Sequence, residues 1–138
     1  MNTSLEQSKK LVELGIDINN TADMFYADIL VNDEHKYIIH PLESYGFKTF
    51  KDTKGRESNK LKFIPAWSLS ALLDLLPKGE DNNIDLCFGG YNGEEYIDEW
   101  FCTFEDNKEP FEFHTCNNKD KLDAVFEMIV YLKENNKL

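Results

Sequence analysis

His114 and Cys116 are the residues of this chain whose types and spacing most readily suggest chemistry. Both side chains bind zinc, and a cysteine beside a histidine is the minimal arrangement for a thiolate nucleophile. Only Thr115 separates them, so on a strand they share a face. A zinc site needs further ligands, and the other thiols of this three-cysteine chain are Cys87 and Cys102. Trp100, Cys102 and Phe104 alternate as one apolar face, and Phe111 and Phe113 as another. Setting those faces together pairs Phe104 with Phe111. Cys102 then lies opposite Phe113, on the far face from His114 and Cys116. The ligand set stays incomplete unless Cys87 joins it from two strands away, so neither metal nor cofactor is expected. Among aromatics, Cys102 reads as an inert core thiol. Cys116 precedes the last helix by two residues and is the better-placed nucleophile. The ordinary alternative for both His114 and Cys116 is a half-buried place at a strand end.

The second candidate is cationic. Lys48, Lys51, Lys54, Arg56, Lys60 and Lys62 stand against Asp52 and Glu57 only, a local charge of +4 that leaves −15 for the rest. Such a loop grips a phosphate or an acidic partner, or is simply solvated. The third candidate, Gly89-Gly90-Tyr91-Asn92-Gly93, lacks the spacing and the following helix of a phosphate-binding loop. It reads as hairpin chemistry. A two-residue Asn92-Gly93 turn would set Phe88 against Ile97. A bulge at Gly89-Gly90 or a longer loop would restore Phe88 to Trp100. The carboxylates Glu43, Asp74 and Glu99 have no acid-base partner visible in sequence and read as solvated.

The elements that must position these residues follow from periodicity. Ser4 to Leu14 reads as a helix, with Thr3 and Glu6 spaced as a capping box and Gly15 as its end. Phe25, Ala27, Ile29 and Val31 alternate as a strand. Asn32-Asp33-Glu34 turns, and Tyr37 to His40 returns as a second strand, stopped by Pro41. Residues 43–62 lose the apolar pattern and read as one long basic loop, the most mobile segment of the chain. Ser68 caps a helix whose Leu69, Leu72, Leu73 and Leu76 share a face. Three strands follow, on Ile84/Leu86/Phe88, Trp100/Cys102/Phe104 and Phe111/Phe113. A final helix over about 119–135, capped by Asn118, buries Leu122, Val125, Phe126, Ile129 and Leu132. The expected fold is α+β: an antiparallel sheet of about five strands with helices on one face, in the order α-β-β-α-β-β-β-α, as one domain over 1–138.

Composition limits the function classes. At 138 residues, 41% hydrophobic and 13% aromatic, the chain can fill a core. A net charge of −11 opposes binding of nucleic acid or anionic membrane by the acidic body. The first residues have neither the basic nor the apolar region of a signal peptide, and no apolar run approaches a membrane span. An odd number of widely spaced cysteines suits free thiols in a reducing compartment, so the expected location is the cytoplasm.

Three stretches carry a resemblance. They are Leu11-Val12-Glu13-Leu14-Gly15-Ile16 followed by Thr21-Ala22-Asp23-Met24; Ile64-Pro65-Ala66-Trp67-Ser68-Leu69-Ser70-Ala71-Leu72-Leu73; and Leu122-Asp123-Ala124-Val125-Phe126-Glu127-Met128-Ile129. Together they resemble a family of short uncharacterised proteins common in the genomes and mobile elements of gut anaerobic bacteria. No activity is established for that family, so the resemblance implies no functional residue.

The resulting expectation is a non-enzymatic protein-binding accessory or regulatory module, with another protein as partner. One alternative is a small enzyme or ligand binder using a cleft near His40, His114 or Cys116. Another is an acidic inhibitor, either immunity-type and neutralising a basic nuclease or imitating nucleic acid. Tyr96 and an outward Phe101 also leave room for a homodimer.

Overall fold

Ser4 starts the first helix. Its hydroxyl accepts from the Gln7 N–H at 3.1 Å, and the Gln7 side chain accepts from the Ser4 N–H at 2.9 Å. The capping box therefore sits one residue later than Thr3 and Glu6 predict, and α1 spans Leu5–Glu13. Thr3 has a different task. Its Oγ1 accepts from the Trp67 N–H at 3.0 Å and lies 2.8 Å from Ser8 Oγ, all of it buried. Gly15 ends the helix at φ +82°, where a side chain would be strained. The computed structural model describes residues 1–138, which divide into two compact units, 1–74 and 75–138.

The first unit holds α1, a short α2 (Ile18–Thr21), β1 (Met24–Val31), β2 (Glu34–Pro41), β3 (Leu61–Ala66) and α3 (Leu69–Leu75). Its antiparallel sheet has the order β2-β1-β3. The β1–β2 turn is the two residues Asn32 and Asp33 at φ +51° and +64°, the left-handed pair that tight hairpins require. Phe25 and Ala27 are buried as the alternation predicts. Phe25 packs against Phe63 at 4.8 Å, His40 at 5.5 Å and Tyr45 at 5.6 Å between ring centres. On the other face the Tyr26 hydroxyl donates to the Thr3 carbonyl at 2.8 Å. Ser68 caps α3 by accepting from the Ala71 N–H at 3.1 Å.

Two expectations fail in this unit. The segment 43–62 is not a loop: it contains 3-10 helices at Glu43–Tyr45 and Phe50–Arg56 and the start of β3. Phe47, Phe50 and Thr53 are buried. A 3-10 helix repeats every three residues, so i and i+3 eclipse, and the sequence from Phe47 to Lys54 has that period. Strand β3 also departs from expectation, because Pro65 interrupts its pattern. The sheet order puts β3 on an edge, where a missing N–H can be tolerated.

The second unit contains β4 (Asn82–Asn92), β5 (Glu95–Asp106), β6 (Glu112–Asn118) and α4 (Lys121–Glu134). Its antiparallel sheet has the order β4-β5-β6, and α4 packs over β5 and β6. The α+β class stands. The single five-stranded sheet is corrected to six strands in two three-stranded sheets. The turn falls at Gly93-Glu94, one residue later than Asn92-Gly93, and together with a bulge between Phe88 and Gly90 it sets Phe88 against Trp100. Asp120, not Asn118, caps α4, accepting from the Asp123 N–H at 3.0 Å. Cys102, Phe104, Leu122, Val125, Met128, Ile129 and Leu132 are buried. No helix is long and apolar enough to cross a membrane.

Candidate functional site

The register between β5 and β6 decides what the chemistry-bearing residues can do. Phe104 pairs with His114, and Cys102 with Cys116. The expected pairing of Phe104 with Phe111 is thus wrong, and with it the separation of Cys102 from His114 and Cys116. Neighbours across an antiparallel pair share a face, so all four residues face α4. Phe111 and Phe113 are left on the outside, 63% and 56% exposed.

The polar stripe that turns inward on β6 is satisfied by the flank of α4. The His114 ring stacks on Tyr131, with centres 3.5 Å apart and planes 6° from parallel. Glu112 accepts from the Tyr131 hydroxyl at 2.6 Å and pairs with Lys137 at 2.9 Å. Asn118 donates to Glu127 at 3.2 Å. The hydrogen bond from Tyr131, then that from Lys137, hold the Glu112 carboxyl below the usual carboxylate range.

The same burial opposes thiolate chemistry. Loss of water pushes Cys102 up to about 12 and Cys116 up to about 11. A nucleophilic cysteine needs the opposite shift. No group of three or more His, Cys, Asp or Glu side chains is arranged to hold a metal ion. His40 sits in the first unit against Phe25 and Tyr45.

The basic segment is built on the 3-10 helix. Within it Lys51 and Lys54 follow one another at the 3-10 period, one position on from the buried Phe50 and Thr53, and Lys48 precedes the helix. All six cations from Lys48 to Lys62 are exposed. Arg56 lies over the Phe47 ring at 4.9 Å. Asp52 accepts from the backbone N–H groups of Thr49 and Lys48, which lower its pKa. The unit around this segment is nearly neutral, with nine Lys and Arg against eleven Asp and Glu. The chain's acidity is concentrated in residues 75–138, with six cations against fifteen carboxylates and a net charge of −9.

Sequence reasoning marked Phe101 as outward but missed the concavity on the outer face of the second sheet. Cys87, Phe101 and Thr103 line up there with Phe113, Thr115 and Asn117. With Tyr91 and the Gly89-Gly90 backbone they line a concavity of about 470 Å³. Phe101 points outward yet is only 8% exposed. The reason is Gly90: a Cβ there would stand 2.9 Å from the Phe101 ring, so only glycine lets the ring settle against the strand. Phe113, 56% exposed, stands as a wall, while the Tyr91 ring packs edge-on against Tyr96 with centres 5.3 Å apart. Thr103 and Thr115 share a hydrogen bond of 3.2 Å, and Asn117 donates to Glu99 at 2.6 Å. The signal was present, since Phe111-Glu112-Phe113-His114 alternates equally well in either register. A second concavity, of about 480 Å³, is lined by Asp81, Asp106, Lys108 and Lys137 among others. Neither concavity is lined by His114 or Cys116. No family model, curated protein or solved structure matches the chain.

Proposed function

We propose that this chain is a non-enzymatic protein-binding module, and that its docking surface is the outer face of the second sheet. One observation carries the reading. A floor of Phe101 beside the exposed Phe113 ring opens to solvent on the face that α4 leaves uncovered. Exposed aromatic side chains in a concave patch are the usual anchors of protein association. The chemistry-bearing pair supports the same choice over an enzyme. His114 is stacked under Tyr131, and both inward thiols are held protonated. An accessory or regulatory role, such as a mobile element would use, is consistent with binding without turnover.

Affinity capture from the native host tests this, run in parallel with wild type and Phe113→Asp. The expected result is a stoichiometric partner at physiological salt that the variant fails to retain. A partner held equally by Phe113→Asp, or no stoichiometric partner, sinks the reading. The acidic-inhibitor alternative is favoured by the −9 charge of the second unit. It predicts that the captured partner is a basic nuclease or another nucleic-acid-binding protein.

A further inference from the structure

We infer that the segment received by this outer face is cationic, an arginine- or lysine-bearing stretch of a partner protein. The inference rests on the docking reading above and adds the chemistry of the occupant. Three carboxylates belong to the face: Asp85 opposite Thr103, Glu105 opposite Phe113, and Glu99 bound to Asn117. No lysine or arginine lies on the outward positions of the three strands. Asp85 and Glu105 have no hydrogen-bond or ion-pair partner. Their charge is therefore uncompensated at positions opposite two lining residues, Thr103 and Phe113.

The cations of this unit are placed elsewhere. Lys121 covers the Trp100 ring at 4.7 Å on the helix side, and Lys137 reaches Glu112 and Asp106. Aromatic faces add a second attraction of the same sign. The negative face of a ring favours a guanidinium or ammonium group above it, and the exposed Phe113 ring lines the concavity. A guanidinium seated there has Phe113 beside it and the carboxylates of the same face at neighbouring strand positions. An acidic segment would meet three like charges and no counter-charge.

The test uses the full chain labelled with nitrogen-15 and three acetylated octapeptides in which valine alternates with arginine, serine or glutamate. The arginine peptide is expected to shift the amides of Cys87, Phe101, Thr103, Phe113 and Thr115. Its affinity is expected to weaken about three- to tenfold in the double variant Asp85→Asn, Glu105→Gln, the effect of losing two exposed charge pairs. High salt should weaken it as well. The glutamate peptide is expected to leave these amides in place. If serine or glutamate peptides bind the same amides as tightly, and Phe113→Asp abolishes that binding, the cationic inference falls while the docking surface survives. If no peptide moves these amides, both fall. Shifts confined to the acidic hairpin tip at 94–98 also overturn the inference. So do shifts at these amides that follow protein concentration and resist the peptide, because the face then belongs to a second copy.

Discussion

Cys102 and Cys116 stand directly opposite one another across β5 and β6, on the side of the sheet that α4 covers. Cys87, on the outer face, is exposed. The three thiols therefore divide by face, and burial makes the division chemical. With ionisation pushed to about 12 and about 11, the inward pair is almost wholly protonated at neutral pH.

Alkylation should follow that division. Iodoacetamide at pH 8 is expected to modify Cys87 first, at the rate of an ordinary exposed thiol. Cys102 should react only as the unit opens, with Cys116 between them. Peptide mass mapping over time reads the order. Equal rates at Cys87 and Cys102 would contradict the buried placement.

Phe50 and Phe113 separate burial from exposure among the phenylalanines. Phe50 is 2% exposed, in a segment that has neither the α-helical nor the strand period. Phe50→Ala should cost about 3–5 kcal/mol. Phe113→Ser, on the open face, should change stability by no more than about 0.5 kcal/mol. Urea unfolding of the two variants beside wild type decides it. A small effect at Phe50 would mean that the 43–56 segment does not pack as described.

Gly90 is a place where a single methyl group should be felt. Its Cβ would stand 2.9 Å from the Phe101 ring, which is itself buried. Gly90→Ala is expected to destabilise by about 1–3 kcal/mol, the usual cost of overpacking. It should also raise the exposure of Phe101. At Gly89 the positive φ of +83° adds strain, and the obstructing group is the Tyr96 hydroxyl. Thermal unfolding and proton spectra of the Phe101 ring check both sites. A neutral Gly90→Ala would mean that Phe101 is not held against the strand as the floor of the concavity.

The Glu112 site predicts a pH dependence with a definite sign. Its carboxyl titrates below the usual range because Tyr131 and Lys137 bond to the charged form. A lowered folded-state pKa contributes stability that is complete above the unfolded pKa, about 4.3. That stability is lost as pH falls through the lowered value. Wild type should therefore exceed Glu112→Gln most at pH 7, and the gap should shrink at pH 3.5. Lys137, raised chiefly by its hydrogen bond to Glu112, has the opposite sign and loses its part only above the usual lysine range. Unfolding midpoints of both proteins at the two pH values measure the gap. A gap that stays constant would rule out the charge as its source.

Much of the fold was legible in periods of two and 3.6. The strand of Phe25 and Ala27, the helix capped by Ser68 and the apolar stripe of α4 all appear where those periods put them. Helix starts moved by a residue or two, from Thr3 to Ser4 and from Asn118 to Asp120, because the Thr3 and Asn118 oxygens accept elsewhere, from the Trp67 and Asp120 N–H groups. The stretch from Phe47 to Lys54 was illegible for a different reason. Its period is three, and neither of the two usual templates detects it. At Pro65 a strand was hidden by a residue that only an edge position accommodates.

The amino-acid sequence by itself determined the α+β class, the two hairpins, the divided charge and the alternation on every strand of the second unit. It left the phase of β6 open, because Phe111/Phe113 and Glu112/His114 alternate with the same period. Hydrophobicity alone favours turning the phenylalanines inward. The tertiary structure chose the other phase. On α4, Glu127 and Tyr131 meet Asn118, His114 and Glu112, and Lys137 just beyond the helix completes the pairing, so the polar stripe is satisfied under the helix flank. A one-residue slip would leave those groups unpaired and exchange every side chain between the faces. That choice brings Cys102 and Cys116 together and leaves Phe113 beside the concavity.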